Sequence, residues 1–329
     1  MRVGKLSPEK LNELVLDKIE NRRSDILVQP KVGEDCAVVD FGDIVCVIST
    51  DPITGATKGI GRLAVHISCN DLAATGAEPV GIQLVLLLPD GISEDGIQKI
   101  MEEVDQGAEE LGIDILGGHT EITSLVEKPV IVATAIGKAR KDRFVTSSGA
   151  THGDEIVITK GAGIEGTAIL AHDYEEYLIE QGVSQETIDS AKEFMEEISV
   201  LKEGLIGAKL GATAMHDVTE GGIYGSLFEM AQAGELGFEL YADQVYIRPE
   251  TREICQVLDI DPLGLISSGT MMIATSDSDN LLKAFEDKGI EASKIGKIVE
   301  GENKVIVGGK EEEFELPARD ELWRFIDEL

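Results

Sequence analysis

GIGRLAVHISCNDLAATGAEPVGIQLVLLL, the sequence of residues 59–88, joins a predicted helix to a predicted strand. Gly59 to Thr75 predicts a helix with small residues on its packing face, and the apolar run from Pro79 to Leu88 predicts a buried strand. Asp71 lies inside the helix among small and apolar residues, so a merely solvated role explains it poorly. A buried carboxylate needs a partner, commonly a cation or hydrogen-bond donors. The segment therefore predicts a packed α/β core with a carboxylate set into it.

Helices and strands alternate on both sides of this segment, which predicts the α/β or α+β class. Upstream, Ser7 caps a predicted helix, and a tight turn at Gly42-Asp43 joins two predicted strands. Downstream, Ser93 caps a helix that runs to Leu111. The remaining predictions are strands at 37–41, 44–50, 113–116, 129–137, 155–159, 237–241, 269–274, 294–299 and 304–307, helices at 166–210, 222–233, 278–288 and 320–329, and a loop at 21–29.

A polar segment at 140–153 separates the two halves of this pattern. It contains Ser147-Ser148-Gly149, and such turn-rich segments are typical of boundaries between domains. We therefore predict an N-terminal domain of residues 1–145 and a C-terminal domain of residues 146–329.

The composition is that of a folded and strongly acidic protein. The 329 residues are 43% hydrophobic, and 62 acidic residues against 29 basic ones give a net charge of −33. This charge repels nucleic acid and anionic membrane surfaces, and the low aromatic content argues against base stacking. The apolar run at 80–88 is too short to span a membrane, and the N-terminus leads into an amphipathic segment rather than a signal peptide. We expect a cytoplasmic protein without nucleic-acid or membrane partners.

The cysteines carry no metal or disulfide signature. None of the four forms a C-x-x-C pair or lies at zinc spacing from a histidine. Disulfides also fit a large cytosolic chain poorly. We expect reduced, buried thiols at Cys36, Cys46, Cys69 and Cys255.

Acidic residues recur beside glycines or at the ends of apolar runs. Mg²⁺ uses one or two carboxylates together with substrate phosphates, and glycine-rich turns let backbone N–H groups approach phosphate oxygens. Together these features suggest a Mg-nucleotide site built without a P-loop. The segments concerned are Gly33-Glu34-Asp35, Ser49-Thr50-Asp51, Asn70-Asp71, Gly117-Gly118-His119-Thr120-Glu121 after the predicted strand at 113–116, and His216-Asp217-Val218-Thr219-Glu220-Gly221-Gly222.

Plainer structural roles stay open for several of these residues. Asp35 also suits a turn or cap, and Asp217 also suits the N-cap of the helix that follows it. His119 also suits a polar turn. His66 is more readily explained as a core histidine with satisfied hydrogen bonds than as a ligand, and His152 and His172 are typical of surface residues.

A second nucleotide motif is present at Gly161-Ala162-Gly163-Ile164-Glu165-Gly166, which fits G-x-G-x-x-G. It follows a predicted strand and opens a helix, as a dinucleotide site requires. The second strand ending in an acidic residue is missing, because residues 174–181 are polar and helix-like. A tight strand-to-helix turn therefore explains the glycines better than NAD or flavin binding does. G-x-x-x-x-G-K-[ST] and G-x-S-x-G are both absent from the sequence.

Taken in order, the acidic segments resemble the ATP-binding superfamily of aminoimidazole ribonucleotide (AIR) synthetase, selenophosphate synthetase, thiamine monophosphate kinase and HypE. The resemblance spans nearly the whole chain and is greatest to HypE-like hydrogenase-maturation proteins. The segments that match the HypE pattern are Gly61-Arg62-Leu63-Ala64-Val65, Asn70-Asp71-Leu72-Ala73, Gly76-Ala77-Glu78-Pro79, Asp217-Val218-Thr219-Glu220-Gly221-Gly222, and Asp261-Pro262-Leu263 followed by Ser268-Gly269.

The resemblance implies a two-domain AIR synthase-like fold, in which the N-terminal sheets pair across a homodimer and a C-terminal α/β domain packs beside them. It implies ATP and Mg²⁺ in a cleft near the dimer interface, and an unidentified small-molecule or protein-borne acceptor. Asp35, Asp51 and Asp71 would hold Mg²⁺ and phosphates, with Glu121 as a further metal ligand. The remaining nucleotide contacts implied are Thr50, Asn70, Gly117, Gly118, Thr120 and Asp217.

Three departures separate the chain from HypE. HypE ends in a flexible tail whose cysteine carries the substrate, whereas no cysteine follows Cys255 here. Glu220 stands where HypE has arginine, which removes a candidate phosphate clamp and adds a possible metal ligand. His119 stands where relatives have an acidic residue, a change for which Glu121 could compensate.

Two function classes therefore stay open beside the disfavoured dinucleotide oxidoreductase. The first is a Mg-ATP-dependent enzyme that phosphorylates or dehydrates an acceptor, and the retained Asp35, Asp51 and Asp71 favour it. The second is a nucleotide-binding maturation or assembly factor without catalysis, which the missing cysteine and Glu220 favour.

Overall fold

The computed structural model describes residues 5–53 and 59–329, which form two mixed β-sheets with packed helices. Residues 1–4, where we expect no signal peptide, lie outside this range. The first sheet has the strand order β1-β2-β3-β6-β4-β5, and all its pairs are antiparallel except β4–β5. Its strands are β1 (Ile26–Val28), β2 (Ala37–Asp40), β3 (Ile44–Ile53), β4 (Glu78–Pro89), β5 (Asp114–Thr123) and β6 (Val130–Arg140).

Two helices cover one face of the first sheet. The helix predicted around Asp71 is α2 (Ile60–Ala74), and it packs against α3 (Glu94–Leu111) and against strands β3 and β6. Ser93 caps α3 as predicted, and its side chain accepts a hydrogen bond from the Gly96 N–H at 3.0 Å. The short helix α1 (Pro8–Leu14) begins after the predicted cap, Ser7. Helix α2 thereby carries Asp71 into the core beside the sheet.

The second sheet has seven strands in the order β13-β12-β9-β11-β7-β10-β8. They are β7 (Glu155–Thr159), β8 (Ala214–Val218), β9 (Gly237–Tyr241), β10 (Thr270–Thr275), β11 (Ala292–Val299), β12 (Lys304–Val307) and β13 (Lys310–Glu313). Its helices are α4 (Ile164–Asp173), α5 (Glu175–Glu180), α6 (Gln185–Lys192), α7 (Leu201–Lys209), α8 (Gly222–Ala233), α9 (Pro249–Leu258), α10 (Ser278–Glu286) and α11 (Glu321–Glu328).

Asn70, on α2, connects the N-terminal half of the chain to the loop that precedes α7 in the C-terminal half. Its amide N–H donates to the Ile198 carbonyl oxygen at 2.9 Å, and its amide oxygen accepts from the Val200 N–H at 2.9 Å. Beside this contact, α7 lies so close to α2 that a Cβ on Gly204 would collide with the carbonyl of Ala73. The N-terminal and C-terminal halves are therefore interlocked along α2.

The structure differs from the sequence-based predictions at five elements, one of which is the unpredicted strand β13 (Lys310–Glu313). The strand predicted at 113–116 continues as β5 to Thr123, so the Gly117-Gly118 segment lies inside a strand rather than in a turn after one. Strand β8 and helix α9 were not predicted, and β1 occupies part of the predicted loop at 21–29. Asp217 lies within β8, and the N-cap of α8 is Gly221, so the N-cap role considered for Asp217 is wrong.

In the described part of the chain, no helix combines the length and the apolar character needed to cross a membrane. All four cysteines are free thiols, and Cys46 alone is only half-buried.

Candidate functional site

A cleft of about 400 Å³ lies between the two halves of the chain and collects most of the predicted site residues. Such a volume is typical of small-molecule sites. We use acidic end for the part lined by Asp35, Asp51, Asp71 and Asp217, and apolar end for the part lined by Ile169, Ile266, Trp323 and Ile326; Asp173 and Tyr174 also line the cleft. A larger, more open groove of about 1050 Å³ runs along the second sheet beside Lys160 and Tyr246, but it includes none of the predicted site residues.

Four aspartates from separate elements meet at the acidic end of the cleft. Asp35 precedes β2, Asp51 lies in β3, Asp71 lies in α2, and Asp217 lies in β8. Thr50 lines the same end, and its hydroxyl lies 3.0 Å from that of Thr134. The structure thus brings together residues that are up to 182 positions apart in the chain, as Asp35 and Asp217 show.

Burial and the close approach of the four aspartates raise the pKa of Asp71 and of Asp217. Burial, followed by the charges of Asp217 and Asp51, raises the pKa of Asp71 well above its ordinary value. The Ser49 hydroxyl donates a hydrogen bond to the Asp71 carboxylate. Burial and the charge of Asp35 raise the pKa of Asp217 to about 7. Like charges held together in a poorly solvated site favour either protonation or a bound cation.

Neither carboxylate oxygen of Asp217 has a hydrogen-bond partner, although both are buried. A buried, unpartnered carboxylate is costly unless a ligand compensates it. One oxygen of Asp35, one nitrogen of His216 and one oxygen of Asp217 lie within 4.8 Å of one another. Carboxylate oxygens are ligands that Mg²⁺ prefers, so this end of the cleft fits a divalent cation.

His216 opens the acidic segment at 216–222, but the sequence analysis gave it no role in the site. Its Nδ1 lies 2.8 Å from the Asp35 carboxylate and its Nε2 lies 3.0 Å from the Glu229 carboxylate. Burial lowers the pKa of His216, but Asp35 and Glu229 outweigh burial and raise it well above the ordinary value. The resulting imidazolium holds Asp35 in place at the edge of the cleft. The only feature of the sequence that could have pointed to His216 is its position directly before Asp217.

Lys5 is the one cationic side chain among the described residues that line the cleft. Its ammonium donates to the Thr219 hydroxyl at 3.3 Å. Burial lowers the pKa of Lys5, but the charges of Glu229, Glu220, Asp35 and Asp51 outweigh it and raise the pKa. Eight carboxylates line the same cleft, so an anionic ligand entering it needs additional positive charge.

Asn70 is not among the residues that line the cleft. Both ends of its amide are used by the loop at 198–200, as described above. His66 is also structural, because its Nε2 lies 2.8 Å from the Glu110 carboxylate and its ring is buried. His66 therefore lies in the core as predicted, but its hydrogen bonds are only partly satisfied, because its Nδ1 is buried without a partner among the described residues.

Gly117, Gly118, Thr120 and Glu121 lie on β5, at the exposed edge of the first sheet, and do not line the cleft of the same chain. The two glycines have φ values of 134° and 151°, and a Cβ on Gly118 would collide with the Leu84 carbonyl. The close approach of β4 therefore explains Gly118 without a phosphate, whereas Gly117 has open space beside it and is favoured only by its positive φ. His119 is exposed, and its Nε2 lies 3.6 Å from the Glu121 carboxylate.

The G-x-G-x-x-G segment serves helix packing. The first N–H groups of α4, at Gly163 and Ile164, both donate to the Ser267 hydroxyl, at 2.8 and 3.2 Å. A Cβ on Gly166 would collide with the Leu265 side chain. The helix N-terminus that would meet a dinucleotide phosphate is therefore already capped from within the chain.

Two protein-family profiles match the chain. The profile of AIR synthase related protein, N-terminal domain, matches residues 33–139, and that of AIR synthase related protein, C-terminal domain, matches residues 151–308. A Methanocaldococcus jannaschii protein, provisionally named as a hydrogenase expression/formation protein, is 28% identical over 281 residues, covering 84% of this chain and 81% of the relative. The carbamoyl dehydratase HypE of Escherichia coli K12 is 26% identical over 283 residues, covering 83% and 81%.

Solved structures share the fold at low sequence identity. HypE in its complex with HypF superposes with a TM-score of 0.77 at 20% identity, covering 94% of this chain and 99% of the other. ThiL in complex with AMPPCP and TMP superposes with a TM-score of 0.76 at 20% identity, covering 96% of this chain and 97% of the other. HypE in complex with ATP superposes with a TM-score of 0.68 at 20% identity, covering 97% of each chain. The predicted two-domain AIR synthase-like α/β fold is thereby confirmed, and the chain belongs to the AIR synthase-related family.

Proposed function

We propose that the chain is a Mg-ATP-dependent enzyme of the HypE-like group, which phosphorylates or dehydrates a small-molecule or protein-borne acceptor. The observation that carries this proposal is the unpartnered, buried carboxylate of Asp217 among Asp35, Asp51 and Asp71. A solvated acidic face would not bury such a group, whereas a bound cation would compensate its charge. The ATP bound by HypE and the AMPPCP bound by ThiL support a nucleotide in this fold.

Asp35, Asp51, Asp71 and Asp217 would hold Mg²⁺ at the acidic end of the cleft. Bound Mg²⁺ supplies positive charge that offsets the negative charge on phosphate oxygens. His216 keeps Asp35 oriented, and the Ser49 hydroxyl keeps Asp71 oriented. The Lys5 ammonium lies at the same end and can contact an anionic group of the ligand. The side chains of the chain thus position and neutralise a phosphate group without a P-loop.

We also propose that the chain is a homodimer formed through the first sheet. β5 is the edge strand of that sheet, and Leu116 and Ile122 on it are 45% and 58% exposed. Exposed apolar side chains on a free strand edge favour pairing with another strand. In such a dimer, Gly117, Gly118, Thr120 and Glu121 would lie at the interface, where the partner's cleft can use them.

A nucleotide-binding assembly factor without catalysis is the second candidate. Glu220 lines the cleft where HypE has arginine, so the one cation among the described lining residues is Lys5. Fewer positive groups provide less stabilisation for the charge that develops during phosphoryl transfer. The HypE–HypF complex makes a protein partner a reasonable expectation for either candidate.

Calorimetric titration with ATP tests the nucleotide site. With Mg²⁺ present we expect micromolar-range binding, about −8 kcal/mol, and without Mg²⁺ we expect none, because the cleft is acidic. Asp71→Asn should lose the binding yet stay folded, since the amide resembles the protonated carboxyl that burial favours. Asp105→Asn, at an exposed position on α3, is the matched control and should bind like the parent chain.

Mg-independent binding, or equal affinity of Asp71→Asn, would contradict the proposed site. Single-turnover assays with γ-labelled ATP then separate the two candidates. Release or transfer of the γ-phosphate that Asp71→Asn loses supports the enzyme. Tight Mg-ATP binding with an intact γ-phosphate, together with a partner protein that binds only in its presence, supports the assembly factor.

A further inference from the structure

The apolar end of the cleft is built around Trp323, the single tryptophan of the chain. Trp323 lies on α11 and is half-buried. Across residues 5–53 and 59–329, its indole N–H makes no hydrogen bond and its ring pairs with no other ring. A buried Trp usually has a partner for its N–H. In the described part of the chain, no other ring and no hydrogen-bond partner competes with a ligand for this side chain.

Other aromatic side chains near the cleft are already engaged. Tyr174 also lines the cleft, and it packs edge-to-face against Phe325 with ring centroids 5.5 Å apart. Phe325 is buried and contacts Tyr177 as well. Tyr174 is thus a wall of the cleft that already packs against another ring, whereas Trp323 pairs with no other ring among residues 5–53 and 59–329.

Helix α11 holds Trp323 at a fixed place relative to the acidic end. Asp320 caps the helix by accepting from the Leu322 N–H at 2.8 Å, and it also accepts from the Gly221 N–H at 2.6 Å. Leu322 is buried, which fixes the rotation of the helix around its axis. Gly221 follows the acidic segment that carries Asp217. One buried carboxylate thus connects the two ends of the cleft.

We propose that the apolar end of the cleft is a subsite for a planar aromatic ring that stacks on Trp323 and belongs to the ligand whose anionic group occupies the acidic end. This inference rests on the proposed function and names the chemical class of its ligand. Ile169, Ile266 and Ile326 line the same end and exclude water from the ring. The ring has two possible sources, the adenine of ATP and an aromatic acceptor.

The emission of Trp323 tests the subsite directly, because no other tryptophan contributes. The probes with a ring are adenosine, Mg-ATP, benzyl alcohol and 4-hydroxymethylpyridine. The probes without a ring are ribose and Mg-tripolyphosphate. We expect saturable quenching by ring-bearing probes up to millimolar concentration and none by the ringless ones. Quenching by adenosine identifies the base, and quenching by the ring alcohols identifies an acceptor.

Calorimetry with variants supplies the second readout. Trp323→Leu should weaken binding of the quenching probe at least about tenfold, since base–aromatic stacking is worth ~1–3 kcal/mol. Trp323→Phe should retain most of the affinity, because it keeps an aromatic face. Phe41→Leu, at an exposed aromatic residue outside the cleft, is the matched control.

The inference is overturned if no ring-bearing probe quenches the emission, or if Trp323→Leu binds the quenching probe as tightly as the parent chain. Failure of the proposed function has a different signature, namely that neither Mg-tripolyphosphate nor Mg-ATP gives heat at the acidic end. If Mg-tripolyphosphate binds but no ring-bearing probe quenches the Trp323 emission, the metal-phosphate site is supported and the ring subsite is refuted.

Discussion

Asp217 decides how cation binding depends on pH. Burial and the charge of Asp35 raise its pKa to about 7, so below neutral pH its carboxyl carries a proton that Mg²⁺ must displace. We expect the association constant for Mg²⁺ to rise about tenfold per pH unit from mildly acidic pH up to about 7, with a shallower slope above. Calorimetry in buffers of different ionisation enthalpy measures the released proton.

Asp217→Asn should bind Mg²⁺ weakly and with a flatter pH dependence, whereas Asp105→Asn should reproduce the slope of the parent chain. If affinity fell as pH rose, the metal would not be competing with a proton on these carboxylates.

Asn70 shows that a residue can match a nucleotide-binding motif and still serve the fold. Asn70→Ala leaves the Ile198 carbonyl and the Val200 N–H without partners inside the molecule, which costs about 2 kcal/mol or more of unfolding free energy. Thermal and denaturant unfolding measure the loss. Asn280→Ala, at an exposed position on α10, should cost little.

Nucleotide affinity provides the opposing test for Asn70. A variant that keeps its stability but loses Mg-ATP binding would restore Asn70 as a ligand-contacting residue and would contradict the structural role.

At the level of helices and strands, β5 is the edge strand that presents exposed apolar side chains to a partner, at Leu116 and Ile122. Ile122→Lys places a charge on its exposed edge, and charged side chains on edge strands oppose strand pairing. We expect the variant to sediment as a monomer and the parent chain as a dimer. Phe41→Lys, at another exposed apolar side chain, should leave the dimer intact. A monomeric parent chain would refute the proposed pairing.

Much of the secondary structure followed from sequence patterns, because α3 begins at a Ser93 cap, α2 is rich in small and apolar residues, and β4 is a long apolar run. Strand β8 could not be recognised in this way, since His216 and Asp217 are polar residues inside a fully buried strand. The missed strand and the missed site histidine have the same physical cause. The function that we propose requires polar groups in the core there, and those groups interrupt the apolar pattern that sequence reasoning uses.

The candidate site was predictable only in part. Asp35, Asp51, Asp71 and Asp217 stood out as carboxylates beside glycines or apolar runs, and the structure brings them together. The position of Lys5 could not be predicted, because its contact with Thr219 joins residues 214 positions apart. Such long-range neighbours depend on how the two halves pack, which local patterns do not encode.

Across the molecule as a whole, the net charge of −33 opposes the approach of an anionic nucleotide. Salt screens this repulsion over a Debye length of ~10 Å at 0.1 M. We therefore expect the association rate of Mg-ATP to rise with KCl concentration at saturating Mg²⁺. Stopped-flow calorimetric or fluorescence measurements can follow it, and a rate that falls with salt would show that local positive charge dominates the encounter.

The interlock between Asn70 and the loop at 198–200 also bears on how substrate range can change. Both walls of the cleft are tied to α2, and α7 packs against Ala73 without room for even a methyl group. A hinge motion that widens the cleft along α2 would have to break both Asn70 hydrogen bonds and separate α7 from Ala73. Substitutions in the lining do not carry this cost, so we expect a change of substrate range to begin there, with Trp323 and its isoleucine neighbours as the first positions to diverge.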